Sequence, residues 1–292
     1  MHLCRDRCDA VLRYILPIKS ILAVVLLSIL FLPGLLHAQN SATLMPANAS
    51  PAFEVSTIKP ANPENESKNY SFEGRIFKAE NYNVEDLLAL GYGLHTRQVI
   101  GEPAWFGSAL YDIEGIPDLP GRPNQQQKCL MIQKLLADRF GLRFHIEKRP
   151  LAVYAITVAK SGPRLTRSIA DADAPERFHW VGRLGDLKVD NMTISEFAIW
   201  FQKNVTDKPV VDHTGLTGRY DFTLTWTPSE WQFPQFRKTG GFIPSPTDGL
   251  LDAKAPPDLY KAFDEQLGLH LEAARTLVDV MIIDHADKPL PN

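Results

Sequence analysis

Apolar and polar positions in this chain fall into one pattern that occurs twice, about 110 residues apart. Phe77-Lys78-Ala79-Glu80-Asn81 returns as Leu187-Lys188-Val189-Asp190-Asn191, and each is followed by an apolar stripe at helical spacing. The first stripe is Val84, Leu87, Leu88 and Tyr92; the second is Ile194, Phe197, Ala198 and Phe201. Tyr111-Asp112-Ile113 returns as Tyr220-Asp221-Phe222. Leu135-Leu136-Ala137-Asp138-Arg139-Phe140-Gly141-Leu142 returns as Ala262-Phe263-Asp264-Glu265-Gln266-Leu267-Gly268-Leu269. Val153-Tyr154-Ala155-Ile156-Thr157-Val158 returns as Val278-Asp279-Val280-Met281-Ile282-Ile283. Matches in the same order predict two copies of one supersecondary unit.

The unit reads β-α-β-β-α-β-β. Phe53-Glu54-Val55-Ser56-Thr57-Ile58 alternates with period two, and Ser71–Ala79 reads as a second strand. Asn81 and Asn191 are expected to cap the first helix of each copy, with Gly91 and Gly93 stopping the earlier one. Short strands are predicted at Gln98–Gly101 and Leu110–Gly115, and again at Pro209–Asp212 and Tyr220–Trp226. A second helix runs from Gln126 to Phe140 with Cys129 on its apolar stripe, and its counterpart from Leu259 to Leu267. Each copy then closes on its own strand pair: Arg143–Glu147 with Val153–Ala159, and His270–Ala273 with Val278–Asp284. A helix pair of this length covers one face of a small sheet. The expectation is therefore an α+β fold, a tandem duplication over 53–165 and 180–288. An alternative has the copies share one sheet bridged by Phe53–Ile58. The copies differ in one place: between the Tyr-Asp strand and the second helix, copy one uses Ile116 to Asn124, while copy two carries an insert at 227–257. A connection that long is usually functional or unstructured.

The ends change the picture. Residues 1–38 read as a signal peptide, with Arg5, Arg7, Arg13 and Lys19 ahead of an apolar run from Ile21 to Leu32, then Pro33-Gly34 and Leu36-His37-Ala38. That run is shorter than the ~20 residues of a spanning helix. Cleaved signal or uncleaved anchor, both place the rest outside the cytoplasm, periplasmic or secreted, with membrane contact only through an uncleaved signal. Residues 39–51 form a polar, Pro-punctuated leader. The chain has 31 Lys+Arg against 34 Asp+Glu; loss of four and two with the signal leaves 27 against 32, a net charge of −5. That balance argues against nucleic acid, whose backbone requires clustered positive charge. Cys4 and Cys8 leave with the signal, so Cys129 has no intramolecular partner.

Two resemblances rest on particular residues. Phe53-Glu54-Val55-Ser56-Thr57-Ile58-Lys59-Pro60, Gly101-Glu102-Pro103-Ala104-Trp105, Lys160-Ser161-Gly162-Pro163, the run from Asp212 to Phe222 and Ile283-Asp284-His285 resemble a secreted soil-bacterial family of unknown function with many paralogues per genome. Some of its members are fused to a penicillin-sensing type of membrane metallopeptidase, which implies an extracytoplasmic sensing or interaction role. In addition, Thr193 to Asp284 is similar in pattern to the short periplasmic N-terminal domain of secretins and TonB-dependent transducers, which implies protein–protein contact without catalysis. The long insert departs from that pattern.

Candidate chemistry is sparse. His95, His145, His179, His213, His270 and His285 follow the signal, and none forms a His-Glu-x-x-His pair. Asp212-His213 and Asp284-His285 are doublets at strand ends, where an Asp tunes a neighbouring His; His213 and His285 are the metal candidates, though adjacent strand residues face opposite ways. Nucleophile motifs such as Gly-x-Ser-x-Gly are absent. Recurring Tyr-Asp pairs are read as structural, with Tyr on the sheet and Asp accepting from a turn. The insert holds the binding candidates Trp231, Phe233 and Phe236, with Arg237 and Lys238 at the rim, suited to an envelope protein or a cell-wall glycan. In the plainer reading, Trp226 and Trp231 fold back onto the junction of the copies. The expected function is a non-catalytic interaction or sensing module without a cofactor. The competing one is a hydrolase or metal-dependent enzyme built between the copies from His213, His285 and Asp221.

Overall fold

The computed structural model describes residues 43–65, 67–170, 174, 177–234 and 255–289. Period-two alternation gives β1 (Phe53–Pro60), which pairs antiparallel with β5 (Tyr111–Pro117). The segment expected as one strand at Ser71–Ala79 is a hairpin, β2 (Asn69–Glu73) and β3 (Ile76–Tyr82), because Gly74 turns the chain at φ +64. The first sheet has the order β1-β5-β3-β2. Helices α1 (Val84–Tyr92) and α3 (Gln125–Phe140) pack on it, with the short α2 (Trp105–Ser108) alongside. Their apolar stripes bury Val84, Leu87, Leu136 and Phe140 against Phe77 and Ile113. This is the first core.

The second sheet has the order β7-β11-β9-β8, from β7 (Thr166–Arg167), β11 (Tyr220–Thr225), β9 (Asp186–Met192) and β8 (Arg177–Trp180). It begins ahead of the expected boundary at 180. Helix α4 (Ile194–Asn204) covers it together with α5 (Leu259–Ala262), which continues as a π turn over Phe263–Leu267. Its core is aromatic: Phe197, Phe201, Trp226, Phe233 and Phe263 are all fully buried.

A third sheet joins the two. The expected closing hairpins at Arg143–Ala159 and His270–Asp284 do not form. Each segment is one long strand, β6 (Arg143–Val158) and β12 (Leu269–His285), and the two pair antiparallel along their whole length, from Leu269↔Val158 to His285↔Arg143. Lys148-Arg149-Pro150 reads locally as a turn but stays extended because Leu277 lies opposite Pro150. Proline is tolerated there because the other neighbour of β6, β10 (Val210–Asp212), reaches only Tyr154–Ile156. The outer strands are exchanged: β10, from the second half, pairs parallel with β6 of the first, and β4 (Val99–Ile100), from the first half, pairs parallel with β12 of the second. Met281 and Ile283 of β12 thereby enter the first core, while Tyr154 and Ile156 of β6 enter the second. The bridge between the halves is this sheet; β1 pairs only within the first one.

Asn81 and Asn191 are not the helix caps. Those are Asn83 and Thr193, each closing a capping box with the residue three positions on, Asp86 and Glu196. Asn81 and Asn191 instead sit two residues earlier in the left-handed region, at φ +56 and +58, which Asn tolerates better than most residues. The backbone N–H of Asn81 donates to Asp112 Oδ1 at 3.0 Å, and that of Asn191 to Asp221 Oδ1 at 2.8 Å. Their side-chain amides donate to loop carbonyls, Asn65 and Ser67 in one case and Ala174 in the other. Both Tyr-Asp pairs are thus accounted for: the Asp anchors a left-handed Asn, and the Tyr is buried on the sheet.

Candidate functional site

Where the 227–257 insert leaves the second sheet, rings from three elements meet. Trp231, half-buried, stacks on Tyr154 of β6 with centroids 4.9 Å apart, and Tyr260 of α5 lies 6.0 Å from Trp231. The turn between α4 and β10 adds charge. Lys208 Nζ donates to the Tyr154 hydroxyl at 3.2 Å and to both Asp207 carboxylate oxygens at 3.0 Å, and lies 4.9 Å over the Tyr154 ring. Tyr154 donates in turn to Asp207 Oδ1 at 3.3 Å. Arg97, from the first half, places a guanidinium nitrogen 3.6 Å from Asp207.

His95 completes the group. Its Nδ1 accepts from the Arg97 backbone at 3.1 Å and the ring also bonds the Thr206 backbone, so one imidazole ties the two halves together. Burial, aided by Arg97, lowers its pKa to about 4. Burial raises both tyrosines, assisted by Asp207 for Tyr154 and by Tyr154 for Tyr260, the latter up to about 12. At neutral pH His95 is therefore uncharged and both phenols keep their protons. The arrangement offers stacking surface and fixed hydrogen-bonding groups, while these three groups titrate far from pH 7.

An open cleft of about 430 Å³ on the second sheet is lined by Arg164, Lys188, Asp190, Asp221 and Gln266 among others. Its polar groups are already engaged. Arg164 donates to the Glu265 carbonyl, Gln266 bonds both the N–H and the carbonyl of Thr225, and Lys188 pairs with Asp190 at 3.3 Å.

The residues singled out from sequence scatter. Phe233 is a core residue rather than a contact residue: it is fully buried, stacks on Trp226, and its N–H donates to the Val205 carbonyl. Trp226 is buried too, its indole N–H held by Gln232 at 2.6 Å. Trp231 lies in the cluster above. Phe236, Arg237 and Lys238 lie outside the described residues. His213 and His285 sit at opposite ends of the central sheet: the His213 N–H donates to Ile156, while His285 pairs with Arg143. Those two partners are thirteen residue steps apart along β6, about 40 Å. The pair cannot share an ion, because β10 runs with β6 and β12 against it. Asp221 is committed to Asn191, and Asp212 to Thr214 and Ser195. Among the described residues no three His, Cys, Asp or Glu side chains converge to hold a metal. Cys129 is half-buried, with its Sγ 3.4 Å from the Leu90 carbonyl.

Sequence reasoning missed Tyr154, Tyr260, Asp207, Lys208, Arg97 and His95. Nothing local marks them, since the group assembles only when β10 crosses to β6. The fold is mixed, several small sheets with few helices, and the polar and aromatic cluster around Tyr154 draws residues from both halves. Residues 85–286 match the family described as Protein of unknown function (DUF3738), and the chain belongs to that family. No curated protein and no solved structure matches the chain.

Proposed function

We propose that this chain is a non-catalytic interaction or sensing module that works outside the cytoplasm, periplasmic or secreted, and engages an envelope protein or a cell-wall glycan through the base of its insert. The observation that carries this is Trp231, stacked on Tyr154 beside Tyr260 where the insert departs, next to the bonded Asp207–Lys208 pair. Aromatic anchors beside satisfied charges are the usual make-up of a contact surface. Phe236, Arg237 and Lys238 follow Trp231 closely in sequence and are the insert's further contact candidates. The basic, apolar N-terminus supports export.

The two halves are, on this reading, tandem copies. Support comes from the matched strand orders, the reciprocal exchange of β4 and β10, the left-handed Asn with its Asp in each half, and the capping boxes. Duplicated scaffolds with one elaborated loop suit recognition.

Proximity capture from native envelope tests the proposal with wild type, Trp231→Ala, and a chain whose residues 235–254 are replaced by a Gly-Ser linker. Partners lost in both variants, with an unchanged circular dichroism spectrum, are the expected result. Folded variants that retain every partner would remove this surface from consideration.

A further inference from the structure

Edge-strand aromatics occupy matching places in the two outer sheets. Tyr70 pairs with Ala79 and Phe72 with Phe77; Phe178 pairs with Val189 and Trp180 with Leu187, the counterparts of Ala79 and Phe77 in the repeated sequence. In the first sheet these rings are covered by ammonium groups. Lys203 Nζ lies 5.2 Å from the Tyr70 centroid and 5.8 Å from that of Tyr82, whose rings meet edge to face. Lys68 sits 5.4 Å over Tyr82, and Lys128 5.2 Å over Phe72. All fall within the roughly 6 Å over which a ring face attracts a cation. Burial lowers the Lys203 pKa to about 8, so it remains mostly charged at neutral pH.

Lys203 is the tenth residue after the α4 cap, Thr193. The tenth after the α1 cap, Asn83, is Gly93, which has no side chain to offer. In the second sheet Arg167 stands over Tyr220 of β11, while the edge-strand aromatics have no cation over them among the described residues. Phe178 and Trp180 lie 4.7 and 5.6 Å from Trp200, and among the described residues no Lys or Arg stands over any of the three. Phe178 is 38 % exposed, with Val181 and Ile199 also open to solvent. Arg177 and His179 alternate onto the opposite face of the strand. The net charge of −3 favours approach of a cation.

We infer that the Phe178–Trp180–Trp200 face binds an alkylammonium group presented from outside, a lysine or N-methylated amine of a partner, in the role that Lys203 fills for Tyr70 and Tyr82. This site is separate from the Trp231 surface and does not depend on it.

Tryptophan fluorescence of the full chain, titrated with choline, with its uncharged isostere 3,3-dimethylbutan-1-ol and with a tetralysine peptide, tests the site. Choline should give a saturable change, bound at least fivefold more tightly than the alcohol. A matching change with tetralysine identifies an unmodified lysine as an acceptable source, and its absence restricts the ligand to N-methylated amines. Phe178→Leu keeps apolar bulk at an exposed edge position and removes only the ring, so it should fold and weaken choline at least fivefold. Trp200→Leu should do the same, with the Phe178 variant deciding should Trp200→Leu unfold. Equal binding of alcohol and choline, unaltered affinity in Phe178→Leu, or no saturable change with either cation would overturn the inference.

Discussion

The halves cover their sheets with different material. In the first, α3 is a 16-residue helix whose stripe of Ile132, Leu135, Leu136 and Phe140 fills the core. In the second, the corresponding helix has four α residues and a five-residue π turn, aligned on the glycines Gly141 and Gly268 that end the two helices at positive φ. About two helical turns are missing. Trp226 and Phe233 help fill this core, stacked 6.1 Å apart and packed on Phe201 and Trp180. Part of the long insert therefore builds core, and the difference in loop length between the halves is not all surplus. An aromatic ring on an irregular segment supplies as much buried area as a helical turn, provided its backbone is anchored. Phe233 is anchored through Val205, although its own φ is +54.

The largest expected effect comes from separating the halves. A chain ended at residue 165 keeps β1 to β6 but loses β12 as the partner of β6, and loses Met281 and Ile283 from the first core. It should show no cooperative urea transition by circular dichroism. A sharp transition would mean that strand exchange is incidental and each half is a domain. Next is Phe233→Ala, which should cost about 3–5 kcal/mol, comparable with Phe140→Ala in the helix-built core. A loss below about 1 kcal/mol in chemical denaturation would return Phe233 to the surface-loop class and remove the insert from the core.

Smaller, and meant to sharpen the likeness of the halves, is the left-handed Asn. Asn81→Ala and Asn191→Ala each lose side-chain bonds to a loop and place Ala where φ is positive, together about 2 kcal/mol. Asn→Gly restores the backbone freedom but not the amide, and should recover about half. Equal losses at both sites, read from urea midpoints, fit one device used twice. A large loss at one site with none at the other would separate them.

What the sequence disclosed follows from how local each signal is. The stripes of α1, α3 and α4 and the alternation of β1 mark elements that bury one face wherever the chain places them, so each forms where it is expected, with α4 running three residues past its last stripe position, Phe201. Asn81 recurs as Asn191, but the sequence does not separate its two possible roles: a cap and a left-handed residue two positions before one look alike in a string of letters. The closing hairpins failed for a deeper reason. The breaks expected between Glu147 and Val153 and between Ala273 and Val278 are local readings, whereas the pairing that overrides them joins residues more than a hundred positions apart. The same non-locality hid the cluster at Tyr154, since Arg97, Asp207 and Tyr260 become neighbours only through β10 and β6. Trp231 was legible as an aromatic on an insert, and its seat against Tyr154 was not.

The smallest predicted effect lies at one more difference between the halves. Twelve residues after the helix cap the first half has His95, and the second has Val205, fully buried. The histidine can be charged and the valine cannot. Charged and titratable groups facing His95 are Arg97 and Lys208, which oppose protonation, and Asp207, which favours it; burial is the largest influence, and the pKa falls from 6.5 to about 4. Between these values the unfolded chain binds more protons than the native one, so stability falls as pH drops through that window and is fully present above it. A shift of this size caps the loss near 3 kcal/mol, and partial exposure reduces the expected value to about 1 kcal/mol. Asn in place of His95 keeps an acceptor for the Arg97 N–H and cannot titrate. Urea midpoints at pH 7 and pH 4 should differ less in His95→Asn than in wild type by that amount. An unchanged difference would mean that His95 is protonated in the native protein at pH 4 without cost, and that its place between the halves is no more sensitive to acid than Val205.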